Sequence, residues 1–262
     1  MEFQRLSEAV TIKKVSETAT EGVFEIEGLF TGYGLTIGNA LRRSLLSSLT
    51  GAAVTQFKIK GSLHQFSTIP NVIEDVVEIG LNLKKVRFRI HTEETQNLIL
   101  KIKGEKAVKA GDIETNAQIE VINPDLHIAT LTDKAAELDI ELTVEKGLGY
   151  SPVESRKGEK LPIGVVALDA LFSPVVKANF TIENMRVGDR TDFNRVRLVI
   201  ETDGSITPSA ALRKCSNILQ DHFIKISQVE VKEPEPIAQM TVSEPKKKEP
   251  KTKKAAKKAK KE

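Results

Sequence analysis

Between Leu35 and Gly51 the sequence LTIGNALRRSLLSSLTG sets a broad apolar face against a polar one at helical spacing, so the segment has to dock on something. At about 100° per residue, Ile37, Ala40, Leu41, Ser44, Leu45, Ser48 and Leu49 gather on the apolar face. Asn39, Arg43, Leu46 and Ser47 fall opposite. An arginine beside a leucine on a solvated face suits the centre of a protein contact. The plainer alternative is that Arg42 and Arg43 only solvate the helix.

A second helix is marked near the other end of the chain. Thr207 is placed to cap it and Pro208 fits its first position, where the missing N–H is no loss. Ala211, Leu212, Cys215, Ile218, Leu219, His222, Phe223 and Ile226 then fall within about 140° of arc. This stripe packs on its own domain or on a second copy of the chain. Cys215 reads as a small core residue and His222 as a core histidine.

The rest is patterned as strands. Val10-Ile12 and Val23-Ile26 suggest a strand pair with a turn at 16–22, and Val54-Ile59, Val86-Ile90 and Leu98-Ile102 suggest further strands around a helical piece at Ile73–Leu83. KANFTIENMRVG and RVRLVIETDG read as an antiparallel pair separated by a polar turn from Gly188 to Asn194. Short strands with frequent turn residues predict an α+β chain rather than a βαβ array.

With 262 residues and 40% hydrophobic composition the chain can bury two modest cores. No apolar run nears the ~20 residues needed to cross a bilayer, and the polar start lacks a signal-peptide core, which predicts a cytosolic protein with no membrane contact. Residues 230–262 hold 11 lysines against 6 acidic residues, so the net charge of +3 leaves the remainder at −2. A nucleic-acid reader carries its positive charge on the folded domain, and this chain does not. Its proline, glutamate and lysine content predicts a disordered basic tail over 231–262.

Sites of chemistry are missing from the pattern. One cysteine allows neither an internal disulfide nor a cysteine metal site, and His64, His91, His127 and His222 lack ligand spacing, so no metal or other cofactor is expected. Gly32, Gly34 and Gly38 mimic a dinucleotide turn, but the spacing is one residue too long and Gln56-Phe57 stand where an acid would be needed. The glycines read instead as a tight turn into the helix. No Walker lysine, no G-x-S-x-G and no paired D-x-D occurs, which points to a scaffold or binding subunit rather than an active site.

GYGLTIGNALRRSLLSSLTG at 32–51, LHQFSTIPNVIEDVVEIGLNLK at 63–84, GLGYSP at 147–152 and MRVGDRTDFNRVRLVIETDGSITPSAALRKCSNIL at 185–219 form an ordered series. That series resembles the alpha subunit of bacterial-type, including plastid, DNA-directed RNA polymerase, over nearly all of residues 3–229. The resemblance implies a two-domain region: a discontinuous dimerisation domain (1–50 and 177–230, a sheet plus two amphipathic helices) and a strand-rich inserted domain (51–176). It implies a homodimer that assembles the beta and beta-prime subunits of a nucleotidyltransferase without itself being catalytic. It further implies that Arg43, Leu46, Glu78 and, less directly, Arg42 contact beta, that Lys84 contacts beta-prime, and that Ile37, Leu41, Leu45, Leu212, Cys215, Leu219 and Phe223 lie at the dimer interface. Where the family continues into a small DNA-binding domain, this sequence has the lysine-rich tail, which could attract DNA only non-specifically. Bacterial cytoplasm is the expected location, ahead of plastid stroma.

Overall fold

The computed structural model describes residues 10–156 and 162–229. In chain order these form β1 (Thr11–Glu17), β2 (Glu21–Leu29), α1 (Tyr33–Ser47), β3 (Thr50–Ile59), α2 (Val76–Leu83), β4 (Phe88–Ile90), β5 (Gln96–Lys103), β6 (Lys106–Lys109), β7 (Ile119–Val121), β8 (His127–Leu131), β9 (Glu137–Leu148), β10 (Tyr150–Ser151), β11 (Val165–Ala167), β12 (Ala170–Leu171), β13 (Val175–Val187), β14 (Arg190–Thr202) and α3 (Pro208–Ser227). Mixed helix and strand, with strands predominating, is the architecture the sequence pattern predicts. The expectation of disorder over 231–262 lies outside the described residues.

One antiparallel sheet, ordered β1-β2-β14-β13, joins strands from both ends of the chain. Its strands alternate: Phe24, Ile26, Val196, Leu198 and Ile200 are buried on one face, where Leu41 and Leu45 of α1 and Ala211 and Cys215 of α3 complete a core. The opposite face carries ion pairs, with Glu27 accepting from Lys13 at 2.6 Å and from Arg195 at 2.8 Å. Gly38 lets α1 lie close on the sheet, since a Cβ there would meet the Phe180 ring at 2.6 Å.

A second sheet, ordered β5-β9-β3-β4-β7 with β11 also on β3, builds a separate core. Val76, Ile79 and Leu83, fully buried on α2, pack on it together with Phe57, Leu100, Ile128 and Ile140. These two large buried clusters share no residue, and Ala53, Ala170 and Phe172 form a small third one.

Several boundaries differ from the sequence expectation. The first helix stops at Ser47 because β3 has already begun at Thr50, where Thr50 and Gly51 pair with Leu148 and Gly147. α2 starts at Val76 rather than Ile73, because the Asp75 carboxylate caps it by accepting from the Glu78 N–H at 2.7 Å. The turn predicted from Gly188 to Asn194 contracts to Gly188-Asp189, since Gly188 takes φ +60° and Val187 pairs directly with Arg190. His222 is exposed rather than in the core, because α3 runs on past the residues that pack on the sheet.

α3 begins as its sequence predicts, with the Thr207 hydroxyl accepting from the Ala210 N–H at 3.4 Å. Glu17, at the end of β1, adds a second anchor by accepting from the Ser209 N–H at 2.9 Å. Hydrogen bonding from the Ser209 hydroxyl, then from Lys14, holds the Glu17 carboxyl down at about 2, below its ordinary 4.5. A depressed carboxylate pKa stabilises the fold above the unfolded value and loses that stabilisation as pH falls through the folded one. Thermal melts should therefore separate wild type from Glu17→Gln at neutral pH, with the gap closing between pH 4.5 and about 2. A constant gap across that window would contradict the anchor.

Candidate interaction surfaces

The amino end of α1 is locked to the β13–β14 hairpin. Arg190 sits 5.0 and 5.2 Å from the ring centres of Phe30 and Phe193, which meet edge to face at 6.1 Å. Its guanidinium donates twice to Asp192, at 3.0 and 2.7 Å, and Asp192 accepts in turn from the Thr31 hydroxyl at 2.7 Å. Arg190, then Thr31, hold the Asp192 carboxyl well below the ordinary carboxylate range. The Gly32 N–H donates to Asn194 at 2.9 Å while Gly32 itself takes φ +86°, the conformation glycine reaches at least cost. The turn into the helix is thus fixed by backbone and hairpin, as the glycine spacing suggests.

From that lock α1 presents its outer face. Arg43 is exposed and has no hydrogen-bond or ion-pair partner for its side chain among the described residues. Arg42 is different: its Nε donates to the Ala178 carbonyl of β13 at 3.1 Å, so it straps the helix to the sheet. Leu46, expected opposite the apolar stripe, is half-buried and packs against the core edge, leaving one flank available beside Arg43.

Three of the seven expected dimer-interface residues face their own core. Leu41, Leu45 and Cys215 are buried, and the Cys215 thiol lies 3.6 Å from the Leu41 carbonyl, where burial pushes its pKa up. They hold α1 to α3. Ile37, Leu212 and Leu219 are half-buried, and Phe223 is 62% exposed. Beyond it Ile226 is 66% exposed and Ile224 nearly half, so the last two turns of α3 carry an apolar strip that none of the described residues covers.

Glu78 and Lys84 occupy opposite ends of α2. Glu78 is exposed in the first turn, and six residues on, a rotation of roughly 240°, Lys84 forms the carboxy-terminal cap. The structure does not bring them together. Lys84 pairs with Asp169 at 3.3 Å and lies 5.8 Å from the Tyr150 ring centre. The Val153 N–H at 3.0 Å, with help from Lys84, keeps the Asp169 carboxyl below its ordinary range, and Asp169 raises the Tyr150 hydroxyl. Tyr150 belongs to GLGYSP, whose position in the sequence gave no hint of this partnership.

Sequence reasoning also missed the loop before α2. Ser62 and Ser67 hydroxyls meet at 2.8 Å and tie the turn that displays Leu63 and Phe66, both about three-quarters exposed. The buried Glu74 holds the end of this loop to β8, accepting from the Thr130 N–H at 2.6 Å and meeting His127 Nε2 at 2.7 Å. Burial pushes the Glu74 carboxyl up, but His127 and Thr130 outweigh it and leave it lowered. The partners lie more than fifty residues apart, so no local spacing reveals them.

Among the described residues no group of histidine, cysteine, aspartate and glutamate could hold a metal ion, and no helix is long and apolar enough to cross a membrane.

Residues 57–173 match the family described as RNA polymerase Rpb3/RpoA insert domain. Over 217 residues the chain is 48% identical to DNA-directed RNA polymerase subunit alpha of Symbiobacterium thermophilum, covering 82% of this chain and 69% of that protein. The alpha subunit of Alkaliphilus oremlandii is 45% identical over 223 residues, covering 85% and 70%, and that of Oceanobacillus iheyensis 46% over 210 residues, covering 80% and 67%. With relatives this similar matched over two thirds of their length, the chain belongs to the DNA-directed RNA polymerase alpha subunit family.

Proposed function

We propose that this chain pairs with a second copy of itself and forms the non-catalytic platform on which the beta and beta-prime subunits of a bacterial-type RNA polymerase assemble, in the cytoplasm. The observation that carries the reading is the apolar strip at the end of α3, covered by none of the described residues, where Phe223 and Ile226 continue the stripe that packs on the sheet. Ile37, Leu212, Leu219 and Phe223 supply the dimer surface, and Leu41, Leu45 and Cys215 support it from beneath. Two separate buried clusters support a discontinuous dimerisation domain (1–50 and 177–230) and an inserted domain (51–176).

Arg43, the free flank of Leu46, and Glu78 are the contacts for beta, with Arg42 setting the helix in place; Lys84, in its cluster with Asp169 and Tyr150, is the contact for beta-prime. A symmetric pair presents every one of these residues twice, so each copy uses a different subset. The lysine-rich segment 231–262 adds a salt-dependent, sequence-independent attraction for DNA. Sedimentation of the purified chain tests the reading: twice the chain mass, with no nucleotide incorporation by that species alone, is expected. A monomer at micromolar concentration would overturn it.

A further inference from the structure

A cleft of about 260 Å³ opens where the two buried clusters approach, walled by β3, β4 and β9 on one side and by Pro174, Ser205, Ile206 and Lys214 on the other. Arg89, His91, Lys146 and Lys214 line it, and no acidic residue does. Arg89 is oriented by donating to the Ser205 and Gly204 carbonyls, each at 3.0 Å. Its ion partner Glu120, and Glu93, which pairs with Lys146, stand outside the cleft, Glu93 being 84% exposed. Neither the His91 ring nor the Lys214 ammonium has a partner among the described side chains.

We propose that this cleft is a binding site for a phosphate dianion, free or as the monoester of a small organic group. Three permanent cations face one recess, with Phe88 and Ile206 among the residues that wall it; together they focus positive potential there, and a dianion answers them better than a single carboxylate. At about 30 Å³ per water molecule the volume matches roughly nine waters, enough for a phosphoryl group with a small substituent. Arg89 and Lys146 come from β4 and β9, whereas Lys214 comes from α3. A bound dianion therefore ties the two cores together, adding to the two bonds Arg89 already makes across the same seam.

The test is thermal unfolding of the full chain titrated with sodium phosphate, against sodium chloride at equal ionic strength. A saturable rise in Tm with phosphate alone is expected. Removing two charged donors in the double variant K146Q/K214Q should raise the apparent dissociation constant roughly a hundredfold, about tenfold for each charge-assisted hydrogen bond. His91→Ala, which touches no ion pair, should raise it severalfold and serves if the double variant does not fold. Ribose 5-phosphate binding more tightly than inorganic phosphate assigns the monoester, and equal binding assigns the free ion. A response no larger than that to chloride, or one that persists unchanged in these variants as binding to the lysines of 231–262 would, overturns the site.

Discussion

Replacing Phe223 by aspartate is expected to turn the proposed dimer into a folded monomer, raising its dissociation constant by about a thousandfold or more. Phe223 lies on α3 beyond the last residues that pack on the sheet, so its loss leaves the chain's own core intact. Burying a phenylalanine contributes about 1.5–3 kcal/mol, and a two-fold interface counts it twice. At 1.4 kcal/mol per decade, about 4 kcal/mol is a factor near a thousand. The introduced carboxylates would also have to be desolvated face to face, which adds to the cost. Sedimentation equilibrium reads the change, and circular dichroism checks that the fold survives. An unshifted dimer would place the interface elsewhere.

The second large effect is on the fold. Gly51→Ala should lower stability by about 3 kcal/mol or more, a fall in Tm of roughly 10 °C for a chain of this size. A Cβ at Gly51 would lie 1.9 Å from the Phe172 carbonyl oxygen, and one at its β9 partner Gly147 would meet the Phe172 ring at 2.7 Å. The atom a Cβ at Gly51 would strike is backbone, not the far end of a flexible side chain that could give way. Displacing Phe172 also pulls on β12 and on Asp169 just before it, so the Lys84–Asp169 pair should loosen together with the fold. Differential scanning calorimetry measures the first consequence. A Tm within a degree or two of wild type would show that the strands part at no cost.

Much of this fold was legible from residue periodicity. The stripe from Ile37 to Leu45, the start of α3 at Thr207-Pro208 and the β13–β14 pair follow from spacings of 3.6 and 2 that burial imposes. What was not legible depends on residues far apart in the chain. Nothing near Glu74 foretells His127 and Thr130, nor does anything near Gly51 foretell Phe172. Periodicity also marks which side of a helix is apolar without saying what covers it: Cys215 and Phe223 share one stripe, yet one is closed in the core and the other open. Leu46 shows the converse, because the sheet under α1 is wide enough to reach a residue the helical wheel puts outside.

Candidate contacts were legible mainly through the ordered motifs. Arg43 stands out in the structure for a reason its sequence position does not give: Arg42 is spent on the Ala178 carbonyl, whereas Arg43 has no side-chain partner among the described residues. The Arg190–Asp192–Thr31 lock sets the helix that carries it.

The most direct test of the platform reading is the mass in solution of the purified chain mixed with its beta subunit, for wild type and Arg43→Ala. The account predicts a complex of two chains with one beta for wild type. For Arg43→Ala it predicts an intact dimer whose capture of beta is weakened at least tenfold, within the range for loss of an interface arginine. Undiminished capture by the variant, or a wild-type chain that ignores beta, would contradict it.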